Sequence, residues 1–205
     1  MSAQEIVTPQ PVEAEVIIET RGLSRVYPGV IALDNVDYRV YRNKVNVLIG
    51  ENGAGKSTMM KMLAGVETPS SGQIILEGSP VSLNSTHQAE KQGISIIFQE
   101  LNLFPNMNVM DNIFMANEFF QKGRINEKYQ YELAKSLLER LELDVDPYTP
   151  LGELGIGHQQ LVEIARALSK DTRVLIMDEP TSALSQSEVK VLFNVIGQLQ
   201  RSGVT

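Results

Sequence analysis

The sequence lacks cysteine and lacks any long apolar run, and each absence excludes a class of protein. With no cysteine among 205 residues, the chain has neither a disulfide framework nor a thiolate metal site. No window approaches the roughly 18 consecutive apolar residues of a membrane-spanning helix. The polar start, with Pro9 and Pro11, contains no apolar signal region. We therefore expect a soluble chain that stays inside the cell, with residues 1–15 as a flexible leader.

Basic residues are also fewer than acidic ones, with 18 Lys and Arg against 25 Asp and Glu, so the net charge is -7 at pH 7. A nucleic-acid backbone is bound by basic surfaces, so this balance disfavours a nucleic-acid partner. The length and the 42% hydrophobic content allow one sizeable core and a smaller lobe beside it.

Hydrophobic periodicity predicts a mixed α/β chain. Short β-type runs predict strands, and these runs lie at residues 16–19, 36–40, 45–49, 73–76 and 94–98. A helical pattern follows over about 107–168, and the continuous apolar run Val174–Met177 is typical of a buried parallel strand. Ser185 and Glu188 form a capping-box pattern that opens a last helix, closed by Gly203. The helix is expected to carry Val189, Leu192, Phe193 and Ile196 inward, and the last three residues to turn into a strand beyond Thr205.

A phosphate-binding motif follows the predicted strand at 45–49. Its residues are Gly50, Glu51, Asn52, Gly53, Ala54, Gly55, Lys56 and Ser57, followed by Thr58. The glycines let successive N–H groups point at phosphate oxygens, and the dipole of the following helix adds to their field. Lys56 supplies a charge for the β and γ phosphates, and the hydroxyl of Ser57 suits Mg²⁺. The alternative is a chance glycine-rich turn, which would not require a strand before it and a helix after it.

Two acids end the strand Val174–Met177, at the sheet edge where α/β proteins bind ligands. Because side chains alternate along a strand, Asp178 and Glu179 should point in different directions and have different roles. We expect Asp178 to bind magnesium directly or through water, and Glu179 to act as the general base. The alternative is a strand that simply ends in solvated acids.

Residues 154–160 narrow the choice among phosphate-binding proteins. This segment resembles the signature segment of ABC transporter ATPases, and its residues are Leu154, Gly155, Ile156, Gly157, His158, Gln159 and Gln160. Asp178 to Leu184 is similar to the Walker B strand and D-loop of that family, and Gln99 matches its Q-loop glutamine, which contacts magnesium. Tyr27 matches the aromatic residue that stacks on adenine; its alternative role is core packing.

This resemblance implies a P-loop NTPase (RecA-like) core, an antiparallel β subdomain and an inserted α-helical subdomain at about 101–160. The nucleotide-binding domain would span residues 16–205. ATP and Mg²⁺ would be the cofactors, with Lys56, Gln99 and Glu179 as catalytic residues. Residues 27–33, 99–103 and 162–168 are similar to the importers of ribose, arabinose, xylose and galactose.

In that subclass two ATPase halves share one chain. The partners would be transmembrane permease subunits, the second ATPase half and, indirectly, a sugar-binding protein. The chain would lie on the inner face of the membrane. The family's switch-loop histidine would follow Thr205, and neither His87 nor His158 occupies that place. We therefore expect the chain to be most of the first half of a longer protein, incomplete at its C-terminus.

One departure from the family is Gly155, where the signature normally has a serine whose hydroxyl reaches the γ phosphate. The resemblance implies that each ATP lies between the phosphate loop of one half and the signature segment of the other. A hydrogen bond to the γ phosphate is worth about 1.5–3 kcal/mol, so the composite site that Gly155 would complete is expected to be weak. The D-loop also has Ser185 in place of the frequent aspartate, which its role as a helix cap accounts for. Two other functions remain open: an ABC protein without a membrane partner, and a nucleotide-binding module without turnover.

Overall fold

The computed structural model describes residues 15–205, so the predicted leader lies outside the described residues except for Glu15. The first elements are β1 (Val16–Tyr27), β2 (Val30–Tyr41), α1 (Lys56–Leu63), β3 (Ser71–Leu76) and β4 (Ser79–Val81). The four strands form one antiparallel sheet in the order β2-β1-β3-β4. This sheet corresponds to the predicted antiparallel subdomain.

The remaining elements alternate between strands and helices. They are α2 (Thr86–Lys91), β5 (Ile94–Ile97), α3 (Val109–Phe114), β6 (Phe120–Gln121), β7 (Arg124–Ile125), α4 (Glu127–Arg140), a 3-10 turn (Leu151–Glu153), α5 (Ile156–Leu168), β8 (Val174–Met177) and α6 (Gln186–Arg201). β5 and β8 pair in parallel, with Ile97 opposite Met177. Parallel strands end at the same edge, so residues 98–99 and 178–179 emerge together.

Two hydrophobic cores flank the parallel strands. One joins the helices and includes Phe114, Leu138 and Ile164, so α4 and α5 each bury one face in it. The other lies between α1 and the antiparallel sheet. Val174 lies in the second core and Leu175 packs on the first, as expected for a strand covered on both faces. Within residues 15–205, none of the helices has both the length and the apolar character needed to cross a bilayer.

The predicted strand at 45–49 is not part of any sheet. Its side chains are largely exposed, with Val47 67% and Ile49 86% accessible. A cavity of about 400 Å³ is lined both by residues 44–48 and by residues 174–180. Because a strand exists only through hydrogen bonds to a neighbour, a segment facing a cavity stays irregular.

Thr205 does reach β8, where its N–H donates to Arg173 O over 2.8 Å and its carbonyl accepts from Leu175 N over 2.9 Å.

The buried face of α6 also differs from the predicted one. The capping box at Ser185 and Glu188 and the left-handed Gly203 are confirmed. Leu192 is buried as expected, but Phe193 is 61% exposed, and Val195 and Leu199 are buried instead. Ile196 packs on the helical core and Val189 is half-buried, so Phe193, which lines the same 400 Å³ cavity, is the one predicted inward residue that is exposed.

Candidate functional site

The glycine-rich loop at 50–57 is shaped by left-handed backbone at two glycines. Gly53 has φ +82° and Gly55 has φ +87°. A Cβ added to Gly55 would lie 2.5 Å from the carbonyl oxygen of Ala32, so the loop approaches β2 too closely for any side chain there. Gly55 is also the N-cap of α1 and has no side chain to bind the first N–H groups of the helix. These donors at the positive end of the helix suit an anion such as phosphate.

Lys56 lies across this loop. Its Nζ donates to the carbonyl oxygens of Gly50 and Glu51, each over 2.8 Å. These two weak acceptors hold the ammonium group above the loop, and phosphate oxygens would be stronger partners for it.

The loop and β8 meet at one pair of oxygen atoms. Ser57 Oγ donates to Asp178 Oδ1 over 3.3 Å, although the two residues are far apart in sequence. The Asp178 side chain is buried, and its N–H is held by Ile97 O over 3.0 Å, so the parallel strands fix its position. A hydroxyl and a carboxylate are the hard oxygen ligands that Mg²⁺ prefers.

The described residues contain no cluster of three or more His, Cys, Asp or Glu side chains able to hold a metal. Mg²⁺ commonly takes only one or two protein oxygens and fills its shell with water and phosphate. The Ser57 and Asp178 pair therefore fits Mg²⁺ with a nucleotide, and does not resemble an all-protein metal cage.

Glu179 differs from its neighbour in both exposure and backbone. It is exposed, whereas Asp178 is buried, so the two acids do face different surroundings. Its φ of +46° is left-handed, a conformation that is unfavourable for a non-glycine residue and is often found at functional sites. Lys56, Asp178 and Glu179 all line the 400 Å³ cavity.

Gln99 and Tyr27 lie at different sheets, because Gln99 follows β5 and Tyr27 ends β1. Gln99 is exposed in the bend directly after β5, at the edge where Asp178 also emerges. Tyr27 ends β1; its hydroxyl donates to Glu67 Oε2 over 2.6 Å, and the Arg25 guanidinium lies 4.7 Å from its ring centroid. One face of the Tyr27 ring is thus covered by a cation, and the ring is half-buried.

The predicted signature segment begins α5. Gly155 is its exposed N-cap, Ile156 and His158 are exposed, and Gly157 is buried. Among the described residues, no hydrogen bond joins 154–160 to the loop at 50–58. The structure thus brings the glycine loop and the acids together, while the signature segment, among the described residues, forms no hydrogen bond to the loop or to the side chains of Asp178 and Glu179.

Two contacts around the signature segment were not predicted. Gln160 Nε2 donates to Pro180 O over 2.6 Å, directly after Glu179. Glu188 Oε1 accepts from Gly157 N over 3.1 Å. The capping box identified Glu188 as a helix cap, but no local pattern indicates that its second oxygen reaches another helix.

Comparison with known proteins agrees with this geometry. The family model described as ABC transporter matches residues 33–182. A xylose import ATP-binding protein of Thermoanaerobacter pseudethanolicus is 47% identical over 194 residues, and a ribose import ATP-binding protein of Rhodopirellula baltica is 46% identical. Each alignment covers 94% of this chain and 38% of the relative. The chain thus spans little more than a third of the length of these relatives.

Solved structures show the same architecture. An ATP-binding cassette of an ABC transporter in its ADP conformation superposes with a TM-score of 0.79 at 26% identity, covering 93% of this chain and 79% of that one. The cbiO1 protein of Clostridium perfringens, part of an ABC transporter complex, superposes with a TM-score of 0.77 at 27% identity, covering 92% of this chain and 75% of that one.

Proposed function

Since this chain belongs to the ABC transporter family of ATP-binding proteins, we propose that it binds ATP with Mg²⁺ and hydrolyses it to drive uptake of a monosaccharide. The observation that carries the proposal is the approach of Ser57 Oγ to Asp178 Oδ1 over 3.3 Å, beside a lysine whose hydrogen bonds within residues 15–205 go only to loop carbonyls. This arrangement provides amides and one cation for a triphosphate, and two oxygens for its metal.

Binding requires only a local exchange of partners. Lys56 Nζ would leave the carbonyls of Gly50 and Glu51 for phosphate oxygens, while the uncapped N–H groups of α1 bind the phosphates from the other side. Ser57 and Asp178 would hold Mg²⁺, with Gln99 as a further ligand from the end of β5. When bound, Mg²⁺ neutralises negative charge on the phosphate oxygens.

Glu179 is the proposed general base. Its exposed carboxylate can accept a proton from an attacking water, whereas the buried Asp178 is engaged by Ser57. Adjacent acids would thus have separate roles because the backbone turns between them at Glu179.

The sugar class is proposed from the relatives, which are described as importers of xylose, ribose and L-arabinose. Transmembrane permease subunits, a second ATPase half and, indirectly, a sugar-binding protein would be the partners. The chain would then lie on the inner face of the membrane. Residues 16–205 would form the nucleotide-binding domain, with about 101–160 as its helical subdomain.

Nucleotide binding tests the proposal first. Titration with N-methylanthraniloyl-ATP should show saturable binding to the chain that Lys56→Ala weakens by about tenfold or more, since a charge-assisted contact is lost. Lys61→Ala removes a lysine from the last turn of the same helix and is the matched control, with affinity expected to stay within about twofold. No saturable binding, or an equal loss in both variants, would contradict the proposal.

Turnover is a second measurement. Phosphate release that exceeds one equivalent per chain and disappears in Glu179→Gln would identify an ATPase with Glu179 as base. Tight binding without release would instead favour a nucleotide-binding module, in which turnover requires the second ATPase half.

A further inference from the structure

Asn102 is held through both of its main-chain groups by side chains of α5. Its N–H donates to Glu163 Oε1 over 3.3 Å, and its carbonyl accepts from Arg166 Nη1 over 2.9 Å. Glu163 and Arg166 are three residues apart on one helix, so they face the same side. Two bonds to one residue fix the orientation of its backbone as well as its position. We call these three residues the Asn102 clasp.

A similar contact lies two residues further along. Phe104 N donates to Asn112 Oδ1 over 2.7 Å, and Phe104 O accepts from Asn112 Nδ2 over 3.0 Å. Asn112 belongs to α3 and is fully buried. The segment 102–104 is therefore attached to α5 and α3, and residues 98–101 connect it to the strand β5.

Gln99 lies between the end of β5 and the Asn102 clasp. β5 ends at Ile97, Gln99 and Glu100 are exposed in a bend, and the clasp begins at Asn102. Only a short link thus separates the proposed metal ligand from a backbone point fixed on α5. The same helix carries the signature segment at its N-terminus.

The burial of Glu163 costs free energy that packing alone does not explain. Its side chain is only 6% exposed, and Oε2 has no hydrogen-bond partner among the described residues. Burial raises the pKa of Glu163, while the N–H of Asn102 and the charge of Arg166 act in the opposite direction. A buried carboxyl with one unused oxygen destabilises a fold, which is a reason to look for a role outside stability.

We propose that Glu163 and Arg166 are positioning residues: the clasp sets where Gln99 lies relative to the metal held by Ser57 and Asp178, and ties that placement to the helix bearing the signature segment. This inference rests on the proposed nucleotide site. Besides carrying the signature segment, α5 would then position Gln99 through its hydrogen bonds to the main chain of Asn102.

The test compares Mg²⁺-dependent and Mg²⁺-independent affinity for N-methylanthraniloyl-ATP, measured with Mg²⁺ and with EDTA. Glu163→Met keeps the side-chain length and removes the acceptor, and should lower the ratio of the two affinities by about three- to tenfold. Glu163→Gln retains a carbonyl acceptor and should keep the ratio within about twofold of the wild type. Hydrogen exchange of peptides covering residues 99–104 should accelerate in Glu163→Met and not in Glu163→Gln.

Ile164→Val is the matched control, since it removes a buried methylene from the same helix and leaves the clasp intact. A ratio and exchange rate unchanged in Glu163→Met, or an equal drop in Ile164→Val, would overturn the positioning role while nucleotide binding itself stands. Absence of nucleotide binding to the wild type would instead reject the proposed function, and the positioning role with it.

Discussion

The carboxylate of Glu188 joins two helices by accepting a hydrogen bond from the N–H of Gly157 over 3.1 Å. Its other oxygen accepts from the N–H of Ser185 over 2.8 Å and from the Ser185 hydroxyl over 2.6 Å. One side chain thus caps α6 and also satisfies a free donor in the first turn of α5. The N-termini of α5 and α6 are held together by this acid.

Gly157 should accordingly tolerate an added side chain less well than Gly155. A Cβ on Gly157 would lie 2.6 Å from Glu188 Oε1, while a Cβ on Gly155 meets nothing within 4 Å. We expect Gly157→Ala to cost about 1–3 kcal/mol through overpacking, and Gly155→Ala less than about 1 kcal/mol. Urea denaturation of both variants measures this, and equal destabilisation would show that the Glu188 contact does not matter.

Glu188 should also make stability depend on pH in the acid range. Bonds from the Ser185 hydroxyl, the Ser185 N–H and the Gly157 N–H lower its pKa in the folded state. An acid whose pKa is lowered by folding stabilises the fold at pH values above its unfolded pKa of about 4.3. This contribution to stability is lost as the pH falls below that value. The melting temperature of the wild type should therefore exceed that of Glu188→Gln at pH 7, and the gap should narrow below about pH 4. A gap independent of pH would contradict this.

Glu163 should show the opposite dependence. Because burial raises its folded-state pKa, the fold loses stability as pH rises from about 4.3 through that raised pKa. Glu163→Gln removes the buried charge, so it should unfold at higher temperature than the wild type at pH 8 and lose this advantage near pH 4. The charge of Arg166 opposes the rise in the Glu163 pKa. Arg166→Met should therefore lose more stability than the wild type as the pH rises. Thermal melts across pH 4–8 test both statements.

Gly55 and Gly53 form another matched pair. Both are left-handed, but a Cβ on Gly55 would meet Ala32 O at 2.5 Å and one on Gly53 meets nothing within 4 Å. Gly53→Ala should cost about 1–2 kcal/mol for its backbone alone, and Gly55→Ala more, with at least about a tenfold loss of nucleotide affinity as the loop moves. Equal losses in stability and affinity would mean that the contact with β2 is unimportant.

Gly155→Ser restores the hydroxyl that the family signature normally carries. The site is exposed and open, so the serine fits and should cap α5, adding a few tenths of a kcal/mol to stability. In a protein that contains both ATPase halves it should raise turnover at the composite site by about ten- to a hundredfold, since a charge-assisted bond is regained. Phosphate release with Gly155→Ala as control decides this, and an unchanged rate with unchanged affinity for the γ phosphate would remove the basis for a weak site at Gly155.

Local chemistry made much of this molecule predictable. The glycine loop, the strand ending in Asp178 and Glu179, the caps of α6 and the buried faces of α4 and α5 all depend on residues close together in sequence. The resemblance to ABC ATPases likewise rested on short motifs. Hydrophobic spacing and capping patterns are physical constraints on a few consecutive residues, so they can be read without knowing the fold.

Contacts between distant segments were decided by the tertiary structure. The strand predicted at 45–49 faces a cavity and has no partner, Phe193 turns outward, and Glu163 reaches Asn102 across the chain. The sequence by itself determined which residues could hold a phosphate and a metal, because those abilities belong to side chains and short turns. Only the packing of helices and strands decided that Ser57 meets Asp178 and that Glu188 meets Gly157, since a hydrogen bond depends on distances that no local pattern records.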